Sequence, residues 1–399
     1  MKTFLSTLTL VSLSQLALGA NYTLLKDHSG NGFFDDWAFF GNYDNLTNGD
    51  VTYVNQSQST NLAFINSAGH AIVKVDNTSF VPYNEKRNSV RIGSKDYYAL
   101  GSVWVFDIAH LPYGCSVWPG VWSSAFKWPD QGEIDIIEGI NKMTANQMAL
   151  HTFAGCNAAT GTNAINQPSI ANCNDTQGSG CTVAEKQSNS YGESFASAGG
   201  GVWATQFDES GIFIWFWTRA SVPASITTAT NSIDISSWGN PSAAFPSSSC
   251  NIPQFFGPQQ LIVDITLCGD WAGIPSLFGP SCAPSGNQSD PSLCYITDVI
   301  NNGTSDYATA YFEFNSIRTY GVNSSVLVSF DGKPESSSNS STGSSSGSGS
   351  SSGSGSGSSN SSGSNGSSQG SGAKINLMVT PSGLYAGMAV ATFLSWLVL

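Results

Sequence analysis

Apolar residues recur at every second position in many short runs of this 399-residue chain, and each run is closed by Gly, Pro, Asn or Ser. Examples are Gly211-Ile212-Phe213-Ile214-Trp215-Phe216-Trp217, Leu261-Ile262-Val263-Asp264-Ile265-Thr266 and Ala310-Tyr311-Phe312-Glu313-Phe314. Successive side chains of a strand point to opposite faces, so such runs predict strands with at least one buried face. No long stretch with a helical period competes with them. The pattern predicts an all-β sandwich of roughly 300 residues, large for the class but acceptable as one domain.

One run departs from simple alternation. Glu133-Ile134-Asp135-Ile136-Ile137-Glu138, flanked by Gly132 and Gly139, sets three carboxylates into an apolar strand. Plain alternation puts Glu133 and Asp135 on one face and Glu138 on the other. A β-bulge that adds one residue between Asp135 and Glu138 brings all three acids together. Four strand steps then separate the two Glu Cα atoms by roughly 13 Å along the strand. If each side chain leans about 4 Å toward the other, the carboxylates end about 5 Å apart. Retaining glycosidases hold nucleophile and acid/base about 5–5.5 Å apart, and inverting ones hold them farther apart.

Mutual repulsion among three acids raises the pKa of at least one, which supplies the proton a general acid needs. The bland alternative is a solvated acidic face, the usual meaning of a lone Glu-x-Asp pattern. Here the intervening residues are all Ile, and Trp118, Trp122 and Trp128 precede the run. A metal site built from these acids and His151 is a further alternative. Its hard oxygen donors are unspecific and no His spacing supports zinc, so neither a metal nor another cofactor is expected.

Charge bounds the partner. The chain has 14 Lys and Arg against 27 Asp and Glu, a formal charge of −13, and no basic cluster to neutralise phosphates, which excludes nucleic acid as the expected partner. A neutral polysaccharide needs aromatic platforms and hydrogen-bonding groups instead of countercharge, and 11 Trp with 13 Tyr supply candidates. For any single aromatic, filling the sandwich is the competing reading.

Around the acidic run the sequence resembles the fungal laminarinase-like branch of glycoside hydrolase family 16. The matching residues run from Asp107-Ile108-Ala109-His110-Leu111-Pro112 through Gly114-Cys115-Ser116-Val117-Trp118-Pro119-Gly120-Val121-Trp122. They continue through Trp128-Pro129, Gly132 to Asn141 and Leu150-His151-Thr152. Val90-Arg91-Ile92, Gly199-Gly200-Gly201-Val202, Trp238-Gly239-Asn240-Pro241 and Cys268-Gly269-Asp270-Trp271-Ala272-Gly273 extend the likeness over most of residues 22–320. One departure is Asp44-Asn45-Leu46-Thr47, where the family often has Asp-Pro-Thr.

The resemblance implies a β-jelly-roll sandwich, concanavalin A-like, of two antiparallel sheets with a concave sugar cleft. It implies Glu133 as nucleophile, Glu138 as proton donor and acid/base, and Asp135 as the auxiliary group that sets the nucleophile's hydrogen bonding and charge. The form with the additional Ile resembles the β-1,3-active branch; the shorter form is usual in strict licheninases and xyloglucan enzymes. Trp118, Trp122 and Trp271 are assigned to substrate binding because their neighbours match the family. His151 is placed beside the sugar, with an ordinary structural histidine as its alternative.

The termini read as a secreted, tethered protein. Met1-Lys2, the apolar run Phe4 to Leu18 and small residues at Ala17 and Gly19 predict a signal peptide over 1–19. The catalytic domain is placed at 20–333 and a Ser/Gly-rich disordered linker at 334–373, spanning roughly 35 Å on average. Residues 374–399 read as a removed glycosylphosphatidylinositol signal, with attachment at Ser371 or Gly372, or alternatively Asn365; a tail anchor is the rival. The eight cysteines predict disulfides, with the pairing open. Sequons fall at Asn21, Asn45, Asn55, Asn77, Asn174, Asn287, Asn302 and Asn323, with Asn339, Asn360 and Asn365 in the tail.

Together these features predict a monomeric endo-hydrolase of β-1,3 or mixed β-1,3/1,4-glucans, acting with retention at the outer leaflet of the plasma membrane or in the cell wall. A wall transglycosylase on the same fold is the alternative. A silent glucan-binding lectin is the alternative from another class, and the intact triad argues against it.

Overall fold

The structure, a computed structural model, describes residues 21–174 and 178–329. The expected leader, linker, lipid-attachment residues and tail sequons lie outside the described residues. Two large antiparallel sheets account for most of the strands. The first is nine-stranded, in the order Ser232–Asp234, Asn21–Ser29, Tyr311–Gly321, Ser102–His110, Gly201–Asp208, Gly211–Thr218 and Ala243–Pro246, with Ala71–Lys74 and Ala63–Ile65 off the edge of the 311–321 strand. The second is eight-stranded: Cys181–Ala184, Gln147–His151, Glu133–Glu138, Val117–Ser124, Gln259–Leu267, Arg91–Tyr98 and Trp37–Phe39, with Leu327–Val328 also on the 91–98 strand. The three alternating runs of the sequence fall in the 211–218, 259–267 and 311–321 strands. Among the described residues no helix exceeds the eight residues of Pro275–Cys282.

One core fills the space between the sheets. Trp104, Phe106 and Ile108 from the first sheet pack in the same cluster as Val117, Val121, Ile134, Leu150, Val263 and Ile265 from the second. The first sheet is apolar on its other face too, where Val103, Val105, Val202, Ala204 and Trp215 pack with Ile233 of its edge strand and with Ile226 and Trp238 from the chain that covers it. The 102–110 and 211–218 strands therefore read as near-continuous apolar runs. The second sheet keeps the alternation, and its outward positions carry Arg91, Trp118, Trp122, Glu133, Asp135, Glu138, His151 and Asp264.

The bulge inferred from the sequence is present. The 133–138 strand pairs Glu133 with His151, Ile134 with Leu150 and Asp135 with Ala149, then skips to Glu138 opposite Gln147. Two residues, Ile136 and Ile137, thus stand opposite Met148 alone. On the other side Trp122 pairs with Asp135, Val121 with Ile137 and Gly120 with Glu138, so Ile136 is the residue without a partner. Both isoleucines are fully buried in the core. Burying each is worth about 1.5–3 kcal/mol, and any register that turned one outward would forfeit that and send Glu138 inward.

All eight cysteines are paired, as Cys115–Cys282, Cys156–Cys250, Cys173–Cys181 and Cys268–Cys294. Two of these bridges tie the 268–294 segment to the end of the 117–124 strand and back on itself. The other two brace the chain that follows the 147–151 strand. Each closes a loop at one end of the second sheet, where disulfides of native proteins typically contribute about 2–4 kcal/mol.

The bulge predicts an asymmetry between deletion and insertion. Removing Ile137 leaves Glu-Ile-Asp-Ile-Glu, in which plain alternation already keeps every acid outward, so urea unfolding should show a loss of about the burial of one Ile, 1.5–3 kcal/mol. Inserting another Ile after Ile137 forces either Glu138 or the extra side chain to the wrong face and should cost clearly more. An insertion milder than the deletion contradicts the register described above.

Candidate active site

Cross-strand pairing arranges the outward residues of the second sheet into rows. One runs Glu138, Gly120, Asp264, Arg91; the next runs Asp135, Trp122, Ile262, Gly93; a third runs His151, Glu133, Ser124, Gln260. Gly120 opens the first row. A Cβ there would lie 2.8 Å from Asp264 Oδ1 and from the Trp122 ring, so the space between Glu138 and Asp264 requires glycine. Gly132 performs the complementary task at the strand entrance, with φ +80° and a Cβ position blocked at 2.2 Å by Phe256.

The three acids share one face, as the bulge argument requires, with Asp135 buried and both Glu side chains part-exposed. Glu138 Oε1 accepts a hydrogen bond from Trp118 Nε1 at 2.9 Å. Burial, and after it the Asp135 carboxylate, pushes the Glu138 pKa up to about 8, against the opposing effect of the Trp118 indole. Glu133 is likewise raised well above the ordinary carboxylate range, first by burial and then by Asp135; His151 and the Trp128 indole act in the other direction. Two desolvated carboxyls beside a third do not ionise together, so the site retains a proton near neutral pH. A group that donates a proton and a group that attacks as an anion can therefore coexist here.

His151 Nε2 lies 3.1 Å from Asp135 Oδ2. Glu133, Asp135 and His151 each offer an atom within 4.8 Å of the others, which is the donor set weighed above for a metal. The same contact sets the imidazole against the Asp135 carboxyl, the neighbour that raises both glutamates. Trp118 and Trp271 meet edge to face, with ring centroids 5.5 Å apart at 85°. Trp122 is held differently: its Nε1 donates to Asp264 Oδ1 at 3.2 Å, and the Arg91 guanidinium lies 5.2 Å from its ring centroid. Such stacking is worth about 0.5–2 kcal/mol.

The residues assigned from the sequence therefore lie on one face of one sheet or on the turn beside it. Three others were missed. Asp264 is surrounded by protein and raised to about 7, mainly by burial; Arg91 sits 4.0 Å from it through Nε; Trp128 reaches Glu133. The signal for Asp264 was a lone charged residue at an outward position of its strand; the 91–98 strand also carries Lys95 and Asp96, so Arg91 had no such signal. The Asp44–Thr47 stretch, where the sequence departs from the family pattern, still closes on the site. Asp44 accepts from Thr266 Oγ1 at 2.7 Å and from the Leu46 and Thr47 amides. Thr47 O accepts from Asp270 N at 2.8 Å, and Asn48 Nδ2 donates to the Asp270 carboxylate at 2.8 Å. The turn bearing Trp271 is thereby fixed from outside.

Comparison with known proteins identifies the family. The family model described as "XgeA-like, catalytic GH16 domain" matches residues 37–320. The endo-1,3(4)-beta-glucanase xgeA of Emericella nidulans is 40% identical over 306 residues, 75% of this chain and 47% of that protein. A probable glycosidase of Schizosaccharomyces pombe is 33% identical over 75% of this chain and 69% of its own length. The chain spans about half the length of most of the curated relatives it matches. Among solved structures, Laminarinase 16A from Phanerochaete chrysosporium, described with beta-glucans in both donor and acceptor sites, superposes with TM-score 0.68 at 35% identity, covering 75% of this chain and 99% of that one. An elongating GH family 16 beta-1,3-glucosyltransferase superposes with TM-score 0.69 at 36% identity and the same coverage. With its jelly-roll sandwich and bulged acidic strand, the chain belongs to glycoside hydrolase family 16, in the XgeA-like group.

Proposed function

We propose that this protein is a retaining endo-β-glucan hydrolase that cleaves β-1,3 or mixed β-1,3/1,4-glucans. The observation that carries the reading is the bulge, which puts Glu133, Asp135 and Glu138 on one face and leaves a proton among them. The named activities of the relatives support the substrate class.

In this reading Glu133 attacks the anomeric carbon as a carboxylate while Glu138 donates its proton to the departing glycosidic oxygen. An ester between Glu133 and the sugar results. Glu138, now ionised, takes a proton from water, the resulting hydroxyl attacks the anomeric carbon, and Glu133 leaves as a carboxylate. Asp135 biases the proton toward its neighbours, and His151 opposite it keeps that aspartate in place. Trp118, Trp122 and Trp271 supply sugar-facing surface, with Trp118 also bonded to the acid/base. Attack by a sugar hydroxyl in place of water gives the transglycosylase, a second reading supported by the likeness to the elongating glucosyltransferase.

Placement at the cell surface is part of the same proposal. The leader, linker and tail of the sequence support a glycosylphosphatidylinositol anchor joined at Ser371 or Gly372 and a glycosylated catalytic domain acting on neutral wall or foreign glucan as a monomer. Asn21, Asn45, Asn55, Asn287, Asn302 and Asn323 are exposed, as N-glycosylation requires.

The decisive experiment uses azide on purified Glu133→Ala and Glu138→Ala proteins. Glu138→Ala should keep kcat/KM on aryl β-glucosides with acidic leaving groups and yield a β-glycosyl azide. Glu133→Ala should lose turnover on every substrate without azide and, with azide and an acidic leaving group, yield the α-azide. The same anomer from both overturns the roles. With wild type on laminarin plus a labelled acceptor, short reducing sugars mean hydrolysis and a lengthened acceptor means transfer.

Rate against pH tests the proton's location. Because the Glu138 pKa is raised to about 8, activity should be present below that value and fall as pH rises through it. The Trp118 indole stabilises the ionised form, so Trp118→Phe should move the alkaline limb upward. A downward shift would remove Glu138 from the acid role.

For the tether, a phosphatidylinositol-specific phospholipase should release the protein from membranes. Mass spectrometry that finds Leu399 in the mature chain would show a tail anchor instead.

A further inference from the structure

A β-bulge leaves backbone groups without ladder partners, and in a buried strand each such group needs another partner. At the 133–138 bulge these groups are Ile136 O and Glu138 N, both facing the 147–151 strand across the skipped position. Asn146, the residue before that strand, takes both. Its Nδ2 donates to Ile136 O at 2.9 Å and its Oδ1 accepts from Glu138 N at 2.9 Å. The side chain is fully buried. Its own backbone is fixed as well, because Asn146 N donates to Ser190 Oγ at 3.2 Å and Asn146 O accepts from Glu185 N at 2.8 Å.

We propose that Asn146 is a positioning residue for the acid/base: its amide closes the bulge and thereby sets the height and direction of Glu138. This rests on the reading of Glu138 as proton donor. Only a primary amide of this length presents one donor and one acceptor in the required order, because serine offers a single atom and aspartate lacks the donor. With alanine, Glu138 N and Ile136 O lose their partners, an arrangement the strand can relieve only by shifting. Asp135 and Glu133 lie before the bulge and keep regular ladder pairs to Ala149 and His151. Loss of Asn146 therefore displaces the proton donor and leaves the nucleophile in place.

That asymmetry separates positioning from general support. In Asn146→Ala, kcat on laminarin should fall about 10²-fold with KM little changed, the scale expected for an ångström of misplacement, whereas kcat/KM on an aryl β-laminarioligoside with an acidic phenol should fall less than about threefold. That phenol leaves without a proton. The isosteric Asn146→Asp, which keeps the acceptor for Glu138 N and loses the donor to Ile136 O, carries the same test if the alanine protein does not fold. In the chain lacking Ile137 the bulge is gone, so adding Asn146→Ala should no longer split the two substrates. Equal loss on both substrates in a folded variant, or no loss on laminarin, overturns the proposal. Wild-type protein inert toward both substrates sinks the assignment of Glu138 and this inference with it, and is told apart from failure of the inference alone by the wild-type rates.

Discussion

The structure turns on a conflict within six residues. Three acids must reach solvent and three isoleucines must reach the core, and no strict two-residue period satisfies Glu133-Ile-Asp-Ile-Ile-Glu138. The bulge resolves it by letting Ile136 and Ile137 both face inward. Hydrophobic burial is thus what orients the carboxylates: about 1.5–3 kcal/mol for each Ile is at stake in the register. Desolvation then follows from the same packing, since the strand lies in the middle of its sheet with neighbours on both sides. The proton held near neutral pH is a consequence of where the isoleucines went.

Around that floor the chain uses polar side chains and covalent links where ladder bonds end. Asn146 takes over the bulge. Asn141 links the Ser116 amide to Ala272 O, joining the start of the 117–124 strand to the turn that carries Trp271. Cys268–Cys294 and Cys115–Cys282 lock the same region. Asp44, from a loop more than two hundred residues away in sequence, closes the remaining side through Thr266. Trp271 is thereby held from several sides although it sits on a turn, and an aromatic already held in place loses less side-chain freedom when it is covered.

Much of this was legible in the sequence because it depends on local period. The strands at 211–218, 259–267 and 311–321, the bulge and the shared face of the acids all follow from which residues are apolar and how they are spaced. What was not legible depends on pairing between distant strands. Asp264 becomes part of the site only because it stands opposite Gly120, which stands opposite Glu138. Arg91 enters through Asp264. The disulfide partners are separated by 8 to 167 residues, and no spacing rule chooses among the possible pairings of eight cysteines. Trp128 was noted as a neighbour of the run, but its bond to Glu133 depends on the path of the 125–132 loop.

Floor and walls are held by different forces, and this bears on how one fold serves both hydrolysis and transfer. The register of the triad depends on core burial and on one buried amide. The Asp44–Asp50 loop and the 269–273 turn are held by Asp44, Asn48, Asn141 and two disulfides, and Trp118, bonded to Glu138 and packed on Trp271, joins the two parts. Substitutions at Asp44 or Asn48 therefore act first on the turn that carries Trp271 and are relayed to Glu138 through Trp118. In the proposed reaction the first half rests on the strand register, and the choice between water and sugar is assigned to the walls.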